Sequence, residues 1–215
     1  GFVNPGLFQI GDAVSSGGPI AFERFMELAL YGVDGFYTRA DGGSAGRRGD
    51  FITSPEVGPL FGAVIARHLD AEWRRLDRPE VFTVVDAGAG PGTLARSVLT
   101  ARPECIDALR YVAVEVSATQ RASHPEGVES MATMPTDPID GVVLANELLD
   151  NIPFRLAVFD SGWREAYVER VGDGFTERLS ARFDPVPAVL PAAAPHGARA
   201  PLIDAAAQWV RDARA

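Results

Sequence analysis

Short apolar runs alternate with amphipathic stretches in the middle of the chain, from residue 57 to residue 145. A run that is apolar throughout is typical of a strand buried on both faces, whereas apolar positions three and four apart are typical of a helix that buries one side. These patterns predict strands over 81–86, 111–117, 128–131 and 140–145, and helices over 57–76, 93–100 and 118–122. Strands that alternate with helices predict a doubly wound α/β sheet.

Ahead of this region, the chain is expected to be helical and loosely organised. Residues 1–18 are rich in Gly, Ser and Pro, which predicts a flexible lead-in. A helix is predicted over 19–31, because apolar side chains from Phe22 to Leu30 recur on one face. The glycine-rich stretch over 32–49 is predicted to be a loop.

After Pro153 the pattern changes to short strands joined by glycine-containing turns. The turns Asp160-Ser161-Gly162 and Gly172-Asp173-Gly174 predict an antiparallel meander inserted in the α/β unit. The predicted strands cover 154–159, 163–171 and 175–181, and they are followed by irregular Pro/Ala-rich chain over 184–201 and a closing helix over 202–214. The chain therefore divides into an N-terminal helical or lid segment (1–80), a Rossmann-like core (81–153), a β insertion (154–183), and a linker with the closing helix (184–215).

A glycine-rich turn follows the first predicted strand of the core. It runs Asp86-Ala87-Gly88-Ala89-Gly90-Pro91-Gly92 and leads into a helix. A strand, a glycine turn and a helix in this order hold nucleotide-like cofactors at the carboxyl edge of a parallel sheet. Glycine has no Cβ, so Gly88, Gly90 and Gly92 let the backbone approach a ligand closely. We therefore predict that these glycines and Asp86 bind a cofactor.

The next predicted strand identifies the kind of cofactor, because it ends in an acid, Glu115. A carboxylate at this position accepts hydrogen bonds from a ribose diol. The chain has no Gly-Lys-Ser/Thr phosphate loop, and all twenty of its Lys and Arg positions are Arg. These features fit S-adenosyl-L-methionine (SAM) better than NAD or ATP. Two alternatives stay open: an NAD site, and a glycine turn that only packs a helix against the sheet.

Composition narrows the class of protein. A length of 215 residues suits one domain, and a single cysteine, Cys105, cannot form an internal disulfide, which favours the reducing cytoplasm. The net charge of −9 disfavours nucleic acid as a partner. No apolar run is long enough to span a bilayer, so no membrane partner is expected. His68, His124 and His196 show no ligand spacing, so no metal site is predicted.

Four stretches of the chain carry a family resemblance. They are Gly18-Pro19-Ile20-Ala21-Phe22-Glu23-Arg24-Phe25-Met26 with Leu30-Tyr31 and Gly35-Phe36-Tyr37, Gly49-Asp50-Phe51-Ile52-Thr53-Ser54-Pro55-Glu56 with Leu60-Phe61-Gly62, the glycine turn, and Ala145-Asn146-Glu147-Leu148-Leu149-Asp150 with Ile152-Pro153; the strand end Glu115-Val116-Ser117 is also similar. Together they resemble the MidA-like SAM-dependent methyltransferases, which have bacterial members and a mitochondrial member that assists complex I assembly. The resemblance implies a class I methyltransferase fold, SAM as methyl donor and, for the eukaryotic members, protein arginine as acceptor.

Members of this family continue past the point where this chain stops, with further strands that complete the sheet. A sheet that has only the early strands exposes an edge. We therefore expect the chain to be a fragment, or its edge to be covered by a second protomer in a homodimer or by a rearranged meander.

The end of the strand over 140–145 is the predicted acceptor site. Asn146, Glu147 and Asp150 follow this strand closely. The two carboxylates would orient a cationic acceptor such as a guanidinium group, and Asn146 would place the acceptor or the methionine moiety of the cofactor. The alternative is that Asn146 caps a short helix that carries both acids in its first turn.

A second polar group precedes the helix over 57–76. Asp50, Thr53 and Ser54 are predicted to close over the amino-acid end of the cofactor, with Asp50 facing its ammonium group. The alternative is that Ser54 is only the N-cap of this helix. Taken together, the sequence predicts a SAM-dependent methyltransferase whose acceptor is a protein side chain, such as that of arginine. A small-molecule methyltransferase and a non-catalytic assembly factor that keeps the fold are the alternatives.

Overall fold

The computed structural model describes residues 5–33, 35–38 and 59–214, with side chains from residue 8 onward. In chain order the elements are α1 (Pro5–Gly17), β1 (Ile20–Ala21), α2 (Phe22–Tyr31), α3 (Pro59–Arg75), β2 (Phe82–Ala87), α4 (Thr93–Ala101), a 3-10 helix (Glu104–Asp107), β3 (Leu109–Val114), α5 (Ala118–Arg121), β4 (Glu129–Met131), β5 (Gly141–Leu144), a 3-10 helix (Leu149–Asn151), β6 (Arg155–Phe159), β7 (Trp163–Val171), β8 (Gly174–Arg182), β9 (Arg199–Leu202) and α6 (Asp204–Asp212). They form two compact units. One unit contains Asn151–Arg214 with the described residues up to Phe36, and the other contains the described residues of Tyr37–Asp150.

A parallel sheet forms the centre of the second unit, with strand order β4-β3-β2-β5. Val84 and Val85 of β2 pair with Tyr111 and Val112 of β3 on one side, and β5 pairs with β2 on the other. Along the chain, β3 and β4 follow β2 on one side of the sheet, and β5 then pairs with the opposite side of β2. This topology confirms the predicted doubly wound α/β fold.

Strand β2 and most of β3 are apolar because both of their faces are buried. Every residue of β2 is buried. Phe82 and Val84 pack in a cluster with Leu69 of α3 and Val98 of α4, while Val85 packs in a separate cluster with β3. Helices α3 and α4 approach each other closely at Gly62, where an added Cβ would lie 2.2 Å from the Cβ of Ser97. A side chain at this position would push the helices apart.

An antiparallel sheet forms the centre of the other unit. Its strand order is β1-β7-β6-β9, and β8 pairs with β7. Strands β6, β7 and β8 follow one another along the chain and form the predicted meander. Strands β1 and β9 join the same sheet, so the sheet is larger than the inserted meander that the sequence predicts.

The prediction of a flexible lead-in over 1–18 is wrong, because helix α1 covers Pro5–Gly17. Ile10 and Val14, four residues apart, are buried in a cluster with Leu28 of α2. Contact with α2 therefore outweighs the low helix propensity of the glycines and serines. The helix ends at Gly17, and the next residue, Gly18, has a φ of +79°, the left-handed conformation that glycine adopts just after helix C-termini.

The prediction that 184–201 is irregular throughout is also wrong, because β9 begins at Arg199. Pro201 lies within this strand opposite Leu156. A proline is tolerated here because β9 lies at an end of the sheet among the residues described. No helix within the described ranges is long and apolar enough to cross a membrane.

Candidate functional site

The carboxyl ends of three parallel strands meet at one edge of the central sheet. Ala87 of β2 lies beside Val114 of β3, and Asp86 lies beside Leu144 of β5. The residues that follow these strands are the glycine turn, Glu115 and Asn146. The strand order reverses between β2 and β5, and open α/β sheets bind ligands at the carboxyl edge where the order reverses.

The glycine turn has a backbone conformation that favours glycine. Gly88, Gly90 and Gly92 have φ values of +72°, +55° and +80°. The N–H groups of Gly88 and Ala89 both donate to the carbonyl oxygen of Val114, at 2.9 and 3.0 Å, which ties the turn to the end of β3. Side chains at the three glycines would therefore strain the backbone.

Glu115 and the glycine turn are directly connected. The N–H of Gly90 donates to Oε2 of Glu115 at 3.0 Å, and the N–H of Ser117 donates to Oε1 at 2.8 Å. Glu115 is only 8% exposed, so the carboxylate is held in one position. Each carboxylate oxygen can accept more than one hydrogen bond, so acceptor capacity for two hydroxyl groups is left. The arrangement fits a ribose diol beside the turn.

Asp86 lies inside the protein, where it is 2% exposed. The hydroxyl group of Tyr111 donates to Oδ2 of Asp86 at 2.9 Å. Burial raises the pKa of Asp86 to about 6, although the Tyr111 hydrogen bond acts in the opposite direction. The hydrogen bond between Asp86 and Tyr111 therefore links β2 to β3 inside the protein. Contact between the Asp86 carboxyl group and a cofactor stays a prediction.

The predicted acceptor residues follow β5. Glu147 and Asp150 are exposed and Asn146 is partly buried. A Cβ on Gly88 would lie 3.0 Å from Cδ1 of Leu148, so this segment packs directly on the glycine turn. Glu147 has a φ of +53°, which is uncommon for a residue with a side chain.

The alternative in which Asn146 caps a helix that carries both acids does not match the observed geometry. The short helix here is the 3-10 helix Leu149–Asn151, so Leu148 and not Asn146 precedes it. Asp150 lies in this helix, and Glu147 lies before it.

Tyr37 also belongs to the candidate site, although no role was predicted for it from the sequence. Burial is the main cause of the raised pKa of its phenol. The nearby carboxylates of Asp150, Glu115 and Glu147 raise this pKa further. The phenol thus stays protonated and marks a region where three of the predicted acids converge. In the sequence, Tyr37 is marked only by its place in the Gly35-Phe36-Tyr37 stretch of the family resemblance. This stretch lies in a loop, so Tyr37 does not follow a predicted strand as the other site residues do.

Asp50, Thr53 and Ser54 lie outside the described residues. Among the residues that are described, no group of three or more His, Cys, Asp and Glu side chains has the arrangement of a metal site.

Comparison with known proteins identifies relatives of this chain. Residues 64–214 match the model of a family described as "Putative S-adenosyl-L-methionine-dependent methyltransferase". A mitochondrial protein of Drosophila melanogaster, named as a homologue of the protein arginine methyltransferase NDUFAF7, is 29% identical over 81% of this chain and 47% of its own length. Human NDUFAF7 is 34% identical over 45% of this chain and 22% of its own length.

A solved structure shares most of the described fold. It is a crystal structure from Burkholderia thailandensis bound to S-adenosyl-homocysteine, and it is 29% identical with a TM-score of 0.79. The match covers 96% of this chain and 58% of that one. This chain spans about half the length of the first curated relatives that it matches.

Proposed function

Because the chain belongs to this family of S-adenosyl-L-methionine-dependent methyltransferases, we propose that it binds SAM beside the glycine turn and Glu115 and that the protein methylates arginine side chains of other proteins. The observation that carries the proposal is the hydrogen bond of 3.0 Å from the Gly90 N–H to Oε2 of Glu115. It brings the two predicted halves of an adenosine site together in one place.

The residues of the site fit the cofactor. The turn has glycine, with little side-chain bulk, at positions 88, 90 and 92, and Glu115 keeps acceptor capacity for the ribose hydroxyls. When it is bound, SAM supplies a methyl group on a sulfonium that is already activated for displacement. The contribution left to the protein is to bind and orient the acceptor, and proximity with orientation can supply about 7–11 kcal/mol.

An arginine acceptor suits the acids that gather near Tyr37. A carboxylate with a pKa near 4 cannot deprotonate a free guanidinium group, whose pKa is about 12.5–13.8, because the gap of about nine units corresponds to about 12 kcal/mol. Glu147 and Asp150 would instead bind the cationic guanidinium through charge-assisted hydrogen bonds and take a proton as the N–C bond forms. Asn146 would contribute an amide that fixes the orientation of the acceptor.

The names of the relatives support this choice of acceptor. The Drosophila and mouse relatives are named as protein arginine methyltransferases, at 29% and 26% identity. Together with the two exposed carboxylates beside the turn, they favour a protein side chain over an uncharged small molecule. We also propose a homodimer in which a second protomer covers the edge of the central sheet; its support is that β5 lies at an end of this sheet among the described residues.

The test is a transfer assay with methyl-labelled SAM and a cell lysate as acceptor, followed by acid hydrolysis and separation of the amino acids. We expect label in methylated arginine. Glu147→Gln should lower the transfer rate about tenfold or more, because a charge-assisted hydrogen bond contributes about 1.5–3 kcal/mol. Its affinity for S-adenosyl-homocysteine should stay unchanged.

Gly90→Val is the negative control of this assay, because its added side chain would meet Oε1 of Gln120, which lies 3.2 Å from the Cβ position, in a strained backbone. Label that enters only small molecules would refute the protein acceptor and favour the small-molecule methyltransferase. Cofactor binding without any transfer would favour the assembly factor.

A further inference from the structure

Two side chains hold the glycine turn by its carbonyl oxygens. Nε2 of His124 lies 2.9 Å from the carbonyl oxygen of Gly90. The guanidinium group of Arg96 donates to the carbonyl oxygen of Pro91 at 2.8 Å and also to the carbonyl oxygen of Ser123. The sequence reasoning gave neither residue a role, and the cofactor site described above does not use them.

The hydrogen-bond chemistry fixes the proton on the His124 ring. A carbonyl oxygen only accepts, so Nε2 carries a hydrogen and donates to Gly90. Nδ1 lies 2.8 Å from Oγ of Ser130, and it accepts from the Ser130 hydroxyl when the ring is neutral. His124 therefore links the turn to strand β4.

The peptide groups around Gly90 are held on both sides. Its N–H donates to Glu115 and its carbonyl accepts from His124. His124 also packs on the turn, since a Cβ added to Gly92 would lie 3.2 Å from its Cδ2 and 3.0 Å from Cδ of Pro125. The segment of the chain from Glu115 to Ser130 therefore holds the turn through both hydrogen bonds and packing contacts.

We propose that His124 and Arg96 are positioning residues of the cofactor site, which act through the glycine turn and do not touch the cofactor. They hold the Gly90 and Pro91 carbonyls in place before the ligand arrives, so binding does not have to order the turn. This inference rests on the proposed cofactor site. It predicts that the two side chains affect affinity for the cofactor more than they affect the stability of the fold.

The test compares three substitutions of His124 by calorimetric titration with S-adenosyl-homocysteine. His124→Ala should raise the Kd about three- to tenfold, which is the effect of one lost hydrogen bond. His124→Gln should restore most of the affinity, because its amide nitrogen can reach the position of Nε2, whereas the shorter His124→Asn should not. His68→Ala is the matched control, because His68 is exposed on α3, and its Kd should equal that of the wild type.

A second readout is amide hydrogen exchange at residues 88–92 in the free protein. His124→Ala and Arg96→Met should speed exchange there, and His124→Gln should not. Equal exchange and equal Kd in wild type and His124→Ala would overturn the proposal, as would a Gln variant no better than the Asn variant. A wild type that fails to bind S-adenosyl-homocysteine would refute the cofactor site itself, while exchange would still report on how His124 holds the turn.

Discussion

Oε2 of Glu115 accepts a hydrogen bond of 3.0 Å from the backbone N–H of Gly90. The two residues are far apart in sequence, and each follows a different strand of the parallel sheet. Their contact therefore depends on the pairing of β2 with β3. It gives the proposed cofactor site a fixed carboxylate beside a backbone turn that has little side-chain bulk.

Removal of the Glu115 carboxylate should weaken cofactor binding strongly. Glu115→Ala removes the proposed acceptor of the ribose hydroxyls and the partner of Gly90, so we expect the Kd for S-adenosyl-homocysteine to rise at least tenfold, since hydrogen bonds to a charged group contribute about 1.5–3 kcal/mol each. Titration calorimetry measures this change. Glu104→Ala, at an exposed acid of the 3-10 helix, is the control, and equal affinities in the two variants would refute the role of Glu115.

Gly92 and Gly127 form a matched pair of glycine substitutions. Both have positive φ, +80° and +82°, but an added Cβ meets Pro125 at 3.0 Å only at Gly92 and meets nothing within 4 Å at Gly127. Gly127→Ala should lower the free energy of unfolding by about 1–2 kcal/mol through backbone strain alone. Gly92→Ala should lower it by about 1–3 kcal/mol more through overpacking.

The same two variants also separate strain from binding. Gly92→Ala should weaken S-adenosyl-homocysteine binding, whereas Gly127→Ala should leave it unchanged. Chemical denaturation and titration calorimetry together give both quantities. Equal effects of the two substitutions would mean that the turn has no special geometric requirement.

The buried carboxyl group of Asp86 should make stability depend on pH. Its pKa is raised from 3.8 to about 6, mainly by burial. A raised pKa in the folded state means that the folded protein holds the proton more tightly than the unfolded chain, so the contribution is fully present below pH 4 and is lost as the pH rises through about 6. Two pKa units correspond to about 3 kcal/mol.

The measurement compares the wild type with Asp86→Asn by urea denaturation between pH 4 and pH 7. The asparagine variant does not titrate at this position. We expect the wild type to lose about 3 kcal/mol relative to the variant over this range. A difference that is constant with pH would show that folding leaves the pKa of Asp86 unchanged, and one that changes in the opposite direction would show that folding lowers this pKa.

The structure could be predicted from the sequence where the local pattern of apolar residues matches their burial in the fold. The run from Phe82 to Ala87 is apolar apart from Thr83 and Asp86 and is fully buried, so its pattern predicts the strand directly. Gly90 and Glu115 could be predicted to meet because both follow parallel strands, whose carboxyl ends share an edge. Each of these predictions rests on short stretches of adjacent residues, namely an apolar run and the residues that follow it.

Features that depend on distant contacts could not be predicted. Helix α1 buries Ile10 and Val14 against α2, which its Gly- and Ser-rich sequence does not suggest. Strand β9 is ordered by pairing with β6, although it contains Pro201. Tyr37 reaches the acids from a loop, so no periodic pattern indicates its position.

Two bidentate ion pairs in the antiparallel sheet should differ in their contribution to stability. Arg155 donates to both carboxylate oxygens of Glu165 at 2.8 and 2.7 Å, and the Glu165 side chain is only 10% exposed. Arg199 contacts Glu177 in the same way, but these side chains are 53% and 35% exposed. Similar geometry thus occurs at two different degrees of burial.

Arg155→Met should lower the free energy of unfolding by about 2 kcal/mol, because it leaves the Glu165 carboxylate largely buried without its cation; the value stays below that of a fully buried pair because Arg155 is partly exposed. Arg199→Met should cost about 0–1 kcal/mol, as expected for an exposed pair. Thermal and chemical denaturation of the two variants measure the difference. Equal losses would contradict the importance of burial at Glu165.

A crystal structure of the chain grown with S-adenosyl-homocysteine tests the central claim most directly. We predict that the ligand lies beside residues 88–92, with its ribose hydroxyl groups within hydrogen-bond distance of the Glu115 carboxylate. Density for the ligand at a different location, or crystals that contain none at saturating concentration, would contradict this assignment of the methyl-donor site.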